Sequence, residues 1–279
     1  MIDPLVIESV VDAALREDIG LADLTSELVI PADTVADLTI ATRQDIVVAG
    51  IDVAAAAFRR REPSCAIALD CADGAHLVAG RRLGHVRGPA RGLLTAERTA
   101  LNLLQHLSGI ATLTARYVAA IAHTKAVLVD TRKTTPGLRA LEKHAVQVGG
   151  GRNHRLRLDD GVLIKDNHIA LCGGVAAAVA RARAGVPLLT KIEVECDTLD
   201  QVEQGLAAGA DMLLLDNMDL ATLRRAVALV GRRVPLEASG GVTLETIARI
   251  AETGVDFIST GRLTQAAPAV DIGLDVTMS

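Results

Sequence analysis

The chain contains very few aromatic side chains, and this scarcity narrows the range of its partners. Among 279 residues there are one tyrosine, two phenylalanines and no tryptophan. Proteins that hold single-stranded nucleic acid stack its bases on aromatic side chains, and this chain lacks such platforms. Its net charge of −5 also gives no overall attraction to nucleic acid or to an anionic membrane. We therefore expect no nucleic acid and no membrane as partners.

Paired cysteine motifs, long apolar runs and a secretion signal are missing as well. The four cysteines show neither C-x-x-C pairing nor zinc-finger spacing. We expect reduced structural thiols, with a disulfide or a metal site as the less favoured alternative. No uncharged apolar stretch reaches membrane-spanning length, and residues 1–4 do not begin a basic segment followed by an apolar one. These absences predict a cytoplasmic protein.

The second half of the chain does contain six short apolar runs, each of which ends at a charged or hydroxylated residue. Segments with a helical pattern lie between them, and this alternation is typical of parallel strands buried on both faces. In an α/β barrel the carboxyl ends of the strands form the active-site face, so we expect these polar residues to meet at one mouth. The predicted strands are 126–129, 162–164, 192–194, 212–215, 236–238 and 257–260.

The first part of the chain has a different pattern, with strands in a group and helices on either side of the group in sequence. Asp3 is placed to cap a first helix that begins at Pro4. Short runs with alternation or β-branched residues predict strands, and the whole pattern predicts a small α+β layer structure. The predicted helices are 4–17 and 53–60, and the predicted strands are 36–41, 45–49, 65–71, 76–78 and 81–86.

A clear amphipathic helix is predicted over residues 95–107, with Thr95 as its cap and Glu97 in its first turn. Ser108 and Gly109 are expected to end this helix and to form a boundary. The expected domains are therefore an N-terminal domain over residues 1–108 and a barrel domain over residues 109–279.

The ends of the first predicted barrel strands carry an excess of positive charge. Four fixed cations and one titratable group follow these strands, at Arg132, Lys133, His154, Arg155 and Lys165. A net-acidic protein that collects cations at one mouth is suited to bind a polyanion, because arginine offers paired hydrogen bonds to carboxylate or phosphate and lysine a point charge. Taken alone, each residue has a structural interpretation: a lone arginine or lysine is commonly solvated, and a lone histidine is commonly a packed structural residue.

The later strand ends carry acidic residues and glycines. Glu195 and Asp216 are expected to bind Mg²⁺ or sugar hydroxyls, with capping of the next helix by Asp216-Asn217 as an alternative. Ser239-Gly240-Gly241 and Thr260-Gly261 are typical of phosphate-binding loops, since glycine lets backbone N–H groups approach phosphate oxygens closely. A Ser-Gly-Gly sequence alone is more often an ordinary turn.

Several segments together resemble the quinolinate phosphoribosyltransferase family, in order along essentially the whole chain. The most specific are 130–139 (DTRKTTPGLR), 149–155 (GGGRNHR) and 163–168 (LIKDNH), and further segments are 17–20, 97–102, 108–112, 192–195, 215–217, 238–241 and 267–275. The resemblance implies an α/β protein with an N-terminal open-faced α/β sandwich and a C-terminal seven-stranded α/β barrel. It also implies that the C-terminal tail packs on the sandwich domain.

The resemblance implies an activity and an assembly as well. The implied reaction transfers the phosphoribosyl group of phosphoribosyl pyrophosphate (PRPP) to quinolinate with loss of CO₂, giving nicotinate mononucleotide and pyrophosphate for NAD biosynthesis, with Mg²⁺ as cofactor. The implied assembly is at least a homodimer, in which Arg98 contributes to the neighbouring subunit's site.

The family motifs imply roles for individual positions of this chain. Arg132, Arg155 and Lys165 match groups around the quinolinate carboxylates, whereas Lys133 and His154 match cationic positions shared with PRPP. The implied catalytic residues are Lys133, Lys165, Glu195 and Asp216, of which the acidic pair would also hold metal, directly or through water or substrate. The residues implied in substrate binding are Arg98, Thr131, Arg132, Lys133, His154, Arg155, Lys165, Glu195, Asp216, Ser239, Gly240, Gly241, Ser259, Thr260 and Gly261.

Three positions depart from the family pattern. Arg157 stands where glycine is usual, His144 where tyrosine is frequent, and Gln265 where histidine is common. None of them removes a charge implied in substrate binding. Arg157 adds one, which puts the local loop geometry and the affinity in question.

The chemistry of the implied reaction fits these residues and leaves alternatives. Quinolinate has two carboxylates, and PRPP has a phosphate and a pyrophosphate, so the site needs several cations. Transfer itself needs positioning and charge stabilisation rather than a protein nucleophile or a redox cofactor. The alternatives are Lys165 as a Schiff-base nucleophile, a paralogue associated with molybdenum transport, nicotinate as acceptor, and a non-catalytic sensor of phosphorylated metabolites. The excess of cations favours a diacid acceptor, and the intact acidic pair disfavours a sensor.

Overall fold

The computed structural model describes residues 2–276, and these residues form two compact units. The first unit comprises residues 2–115, 135–150 and 266–276, and the second comprises residues 116–134 and 151–265. This division follows contacts rather than chain order, so the domain boundary between residues 108 and 109 stays a prediction. No helix among residues 2–276 is both long enough and apolar enough to cross a membrane.

The first unit contains a four-stranded antiparallel sheet. Strands β1 (Val35–Thr42), β3 (Ala66–Leu69), β5 (Arg82–Pro89) and β12 (Ile272–Val276) form it in the order β12-β1-β5-β3, and β2 (Ile46–Val47) pairs with β4 (His76–Leu77). The helices are α1 (Pro4–Ile19), α2 (Leu24–Val29), α3 (Ile51–Arg61), α5 (Arg139–Val148) and most of α4 (Ala90–Ile121), whose last residues belong to the second unit. Asp3 caps α1 as predicted, because its Oδ1 accepts a hydrogen bond from Leu5 N at 2.9 Å.

Helix α4 corrects the prediction for residues 95–109. It is a single helix of 32 residues, so Thr95 is not its cap, and Ser108 and Gly109 do not end it. A Cβ at Gly109 would come within 2.2 Å of Pro268 O, and Ser108 Oγ accepts a hydrogen bond from Ala49 N at 3.0 Å. The two residues that suggested a helix end are therefore explained by close packing inside a continuous helix.

The second unit contains a six-stranded parallel sheet with the strand order of an α/β barrel. Strands β6 (Val127–Val129), β7 (Val162–Ile164), β8 (Ile192–Cys196), β9 (Met212–Asp216), β10 (Leu236–Ser239) and β11 (Phe257–Ser259) are ordered β6-β11-β10-β9-β8-β7. The first strand thus pairs with the last. The six predicted barrel strands are confirmed within a residue or two. The remaining helices are α6 (Asp166–Cys172), α7 (Val175–Gly185), α8 (Leu199–Ala207), α9 (Leu220–Val230), α10 (Ile247–Ala251) and α11 (Arg262–Gln265).

The seventh strand position of the barrel is reduced to one residue. Arg152 forms an isolated parallel bridge with Val129. Beyond it, the side chain of Asp130 accepts hydrogen bonds from Asn153 Nδ2 at 2.7 Å and from His154 N at 2.8 Å. Because the Asp130 carboxylate takes up the backbone donor of His154, the parallel pairing stops at the Arg152 bridge. The predicted α/β class is confirmed, with six named strands and this bridge.

Candidate active site

A cavity of about 630 Å³ lies at the carboxyl ends of the strands of the second unit. Residues that follow or end all six strands contribute to its wall. Among the lining residues are Thr131, Arg132, Lys133, His154, Arg155, Lys165, Glu195, Asp216, Ser239, Gly240, Gly241, Ser259, Thr260 and Gly261. The fold thus brings together every sequence-predicted site residue of this unit, while their individual roles stay predictions.

Arg98 is the one predicted site residue that does not line this cavity. It lies on α4, its side chain is 64% exposed, and its guanidinium is 3.5 Å from Glu97 Oε1. Its role in a neighbouring subunit's site stays a prediction.

Lys165 and Glu195 form an ion pair across neighbouring strand ends. Lys165 Nζ donates to Glu195 Oε2, and the lysine is half-buried while the carboxylate is nearly covered. A Schiff-base lysine needs a neutral amine, which an apolar pocket or a second cation favours. Here the amine faces a carboxylate instead, so the arrangement gives no support to the Schiff-base alternative.

Asp216 is the last residue of β9 and precedes Asn217, whose backbone is in the left-handed region. Its Oδ2 accepts a hydrogen bond from Asn217 Nδ2 at 2.5 Å, and Asn217 has a φ of 53°. The cap of α9 is Asp219, whose Oδ1 accepts from Thr222 N at 2.7 Å. The alternative in which Asp216-Asn217 caps the next helix is therefore wrong.

Gly240, Gly241 and Gly261 line the cavity, and we call them its glycine rim. Gly240 has a φ of 90°, and a Cβ there would lie 2.1 Å from Asn217 Oδ1, whereas Gly241, with a φ of 60°, faces open space. A Cβ at Gly261 would approach Lys133 Cδ to 2.8 Å. Without side chains, these backbones leave their N–H groups accessible to an anion, as a phosphate-binding loop requires.

Two buried glutamates, Glu193 and Glu237, were missed as site residues, and they lie beside the predicted site residue His154. Oxygen and nitrogen atoms of His154, Glu193 and Glu237 lie within 4.8 Å of one another. His154 Nε2 is 2.8 Å from Glu193 Oε2 and 3.4 Å from Glu237 Oε2. Glu237, which is 1% exposed, also lines the cavity. In the sequence each glutamate is a single acidic residue inside an apolar predicted strand, and this pattern could have identified both of them.

The hydrogen bonds of His154 fix where its ring proton lies. Nδ1 accepts a hydrogen bond from Arg155 N at 2.8 Å, so Nδ1 carries no proton. The proton of the neutral ring is therefore on Nε2 and is donated to Glu193 Oε2. The same bonds hold the backbone of Arg155, whose Nη1 donates to Gly161 O at 3.0 Å. Burial, together with the positive charge of Arg132, lowers the pKa of Arg155.

This cluster does not fit Mg²⁺. Magnesium prefers oxygen ligands and keeps several of its waters, but the His154 nitrogen that faces the cluster carries a proton, and both glutamates are buried. Glu195 and Asp216 offer carboxylate oxygens on the cavity wall, where water and a phosphorylated ligand have access. The acidic pair therefore fits Mg²⁺ better than the buried cluster does.

The three departures from the family pattern lie in different places. Gln265 lines the cavity. Arg157 does not; its backbone N donates to Asp160 Oδ1 at 2.8 Å in the loop that follows Arg155. His144 belongs to the first unit, where its Nε2 is 2.8 Å from Asp73 Oδ2. All four cysteines are free thiols, as predicted.

A barrel whose mouth gathers cations, an acidic pair and a glycine rim is typical of an α/β enzyme that binds phosphorylated substrates, and comparison with known proteins narrows the class. A sequence profile of the N-terminal domain of quinolinate phosphoribosyl transferase matches residues 23–108, and one of its C-terminal domain matches residues 110–275. The chain therefore belongs to the quinolinate phosphoribosyltransferase family.

Individual relatives agree over nearly the full length. The chain is 47% identical over 270 residues to the nicotinate-nucleotide pyrophosphorylase (carboxylating) of Mycobacterium leprae, covering 94% of each chain. It is 42% identical over 263 residues to a probable enzyme of the same name from Bacillus subtilis, covering 94% of this chain and 91% of that one. The solved nicotinate-nucleotide pyrophosphorylase of Francisella tularensis superposes with a TM-score of 0.95 at 38% identity, covering 99% of this chain and 98% of that one.

Proposed function

We propose that the chain transfers the phosphoribosyl group of PRPP to quinolinate with decarboxylation, giving nicotinate mononucleotide, pyrophosphate and CO₂. The observation that carries this proposal is the cavity itself, which gathers Arg132, Lys133, Arg155 and Lys165 together with the glycine rim. Two substrates that together carry two carboxylates, a phosphate and a pyrophosphate require such a distribution of charge.

The cations would hold the diacid. Arg132 Nε is buried and has no hydrogen-bond partner among residues 2–276, so it is available to a ligand. Leaving such a donor unpaired is costly, and a carboxylate oxygen removes the cost. Arg155 and Lys165 line the same cavity and supply further charge for the carboxylates, while Lys133 and His154 lie near the expected position of PRPP.

The acidic pair and the glycine rim would hold PRPP. Ser239, Gly240, Gly241, Ser259, Thr260 and Gly261 would take the phosphate, with Thr131 on the neighbouring loop. Glu195 and Asp216 would bind the ribose hydroxyls, and their charge would stabilise the positive charge that develops on the ribose as pyrophosphate leaves. Lys133, Lys165, Glu195 and Asp216 are therefore proposed as the catalytic residues.

Bound Mg²⁺ would neutralise pyrophosphate oxygens, and Glu195 and Asp216 would hold it, directly or through water or substrate. The quinolinate nitrogen, oriented by the carboxylate contacts, attacks ribose C1 with no protein nucleophile. The quaternised nitrogen then stabilises the carbanion left at the neighbouring ring carbon when CO₂ departs. We further propose a homodimer in which Arg98 contributes to the neighbouring site. We also propose a cytoplasmic location, which the four free thiols support.

The direct test is a pyrophosphate and CO₂ assay with quinolinate, PRPP and Mg²⁺, run beside nicotinate as acceptor. Turnover of quinolinate well above that of nicotinate is expected. Binding of PRPP by folded protein without turnover, unchanged in Glu195→Gln and Asp216→Asn, would contradict the enzyme and favour a sensor.

A further inference from the structure

The buried carboxyl group of Glu237 lies at the floor of the cavity and is poorly supplied with hydrogen-bond donors. Its side chain is 1% exposed, and neither of its oxygens has a hydrogen-bond partner among residues 2–276. His154 Nε2 is 3.4 Å from Glu237 Oε2, but its proton points to Glu193 at 2.8 Å. The Ser259 hydroxyl is the other donor that acts on this carboxyl group. An ionised carboxylate without a partner is very costly to bury, whereas a neutral acid is far less so.

The acidic groups around Glu237 also favour its neutral form. Glu193 on β8 and Asp130 at the end of β6 are both acidic, whereas His154 and the Ser259 hydroxyl favour the charged form without outweighing burial. Burial raises the pKa of Glu237, and the negative charge of Glu193 raises it further.

The proposed reaction needs one proton in this cavity. When CO₂ departs, the carbon–carbon bond breaks and its electron pair stays on the ring carbon, which must then form a bond to hydrogen. Arginine does not release its proton, His154 donates its own to Glu193, and Lys165 is paired with Glu195. Glu237 is thus a buried lining group that can carry a proton, and Lys133 is the lining group that this comparison leaves as the other donor.

We infer that Glu237 is kept as a carboxylic acid at the cavity floor and delivers the proton that replaces CO₂ on the pyridine ring. The O–H bond of Glu237 breaks as the C–H bond forms, which leaves a carboxylate. That carboxylate regains a proton from water before the next turnover. This inference rests on the proposed function, and it adds a general acid to the groups that bind the substrates.

The test is Glu237→Gln, because an amide has the shape of the neutral acid but cannot release an acidic proton. Rapid-quench experiments would follow pyrophosphate and nicotinate mononucleotide separately. We expect quinolinate binding and the pyrophosphate phase to persist, while nicotinate mononucleotide forms about 10²- to 10⁴-fold more slowly. Folded Glu237→Gln that forms nicotinate mononucleotide as fast as the original chain would overturn the inference and leave Lys133 or Lys165 as donor. An original chain that releases no pyrophosphate would instead defeat the proposed function.

Glu193→Gln is the matched variant in the same cluster. Its amide oxygen can still accept the His154 hydrogen bond, but the negative charge that raises the Glu237 pKa is gone. The pH above which nicotinate mononucleotide formation declines should therefore move to lower pH. An unmoved pH limit would contradict the inference, and this measurement decides the question even if Glu237→Gln fails to fold.

Discussion

His144 and Asp73 are joined by a hydrogen bond between Nε2 and Oδ2, 2.8 Å long, inside the first unit. Asp73 Oδ1 also accepts a hydrogen bond from Ile51 N, the first residue of α3, at 3.0 Å. Burial alone would raise the pKa of Asp73, but the hydrogen bonds from His144 and from the backbone of Gly50 and Ile51 outweigh it, so the pKa is lowered. The departure at position 144 thus supplies a partner for a mostly buried carboxylate.

Asp73→Asn should lower the free energy of unfolding at neutral pH by about 1–3 kcal/mol, because buried donors lose a charged acceptor. The folded-state pKa of Asp73 lies below its ordinary value of 3.8. Its contribution is therefore fully present above that value and is lost as pH falls through the lowered one. Urea unfolding at neutral and acidic pH measures this effect. The free energies of unfolding of the original chain and of Asp73→Asn should become similar in acid.

The control for Asp73→Asn is Asp70→Asn, which breaks a solvent-exposed pair with Arg82. An exposed pair contributes about 0–1 kcal/mol. If Asp73→Asn were no more destabilising than Asp70→Asn, the hydrogen bond between Asp73 and His144 would contribute no more to stability than an exposed ion pair.

Gly109→Ala should destabilise the fold by about 1–3 kcal/mol, because the new methyl group would overlap Pro268 O, 2.2 Å away. Gly185 at the end of α7 has no atom within 4 Å of the position that a methyl group would take, so Gly185→Ala should be neutral or slightly stabilising. Chemical denaturation measures both. Equal effects of the two substitutions would refute the explanation given for Gly109 inside α4.

Gly240→Ala should reduce kcat/KM for PRPP more than Gly241→Ala does. Both glycines have a positive φ, so each alanine is strained by about 1–2 kcal/mol. Only the Gly240 substitution also overlaps Asn217, next to Asp216. Steady-state kinetics with PRPP varied would reveal the difference. A larger loss of kcat/KM in Gly241→Ala would contradict the importance given to the contact between Gly240 and Asn217.

Arg98→Ala and Lys133→Ala should each be inactive, and mixing them should restore activity. In a dimer with shared sites, random exchange of subunits gives about a quarter of the original activity, because half the dimers are hybrids with one intact site each. The control mixes Arg98→Ala with a double variant that carries both substitutions. Neither subunit of this mixture has Arg98, so no intact site can form and no activity should return. No recovery after verified subunit exchange would show that Arg98 does not act across subunits.

The barrel strands were predictable because each is a short apolar run between segments of helical pattern, and their order along the chain fixes which ends share a face. Lys165, Glu195 and Asp216 could therefore be placed at one mouth from the sequence alone. Their convergence follows from topology, since parallel strands expose their carboxyl ends together.

The continuation of α4 could not be predicted, because Ser108 and Gly109 carry a local signal for a helix end. The structure shows that the small size of these two residues serves packing against Ala49 and Pro268, which are distant in sequence. The role of Glu237 at the floor of the cavity could not be predicted for a similar reason. In the sequence Glu237 is one polar residue in an apolar strand, and only three-dimensional proximity to Glu193 and His154 gives it a chemical meaning.

The pairing of β6 with β11 has a consequence for how the enzyme is made. Thr264 Oγ1 donates to Lys133 O at 2.6 Å, so residues 131 positions apart in sequence are neighbours at the mouth. During translation, the basic motifs emerge from the ribosome long before the strand that encloses them. A nascent or prematurely terminated polypeptide that ends before β11 therefore possesses nearly all of the charged side chains and yet should have no turnover at all.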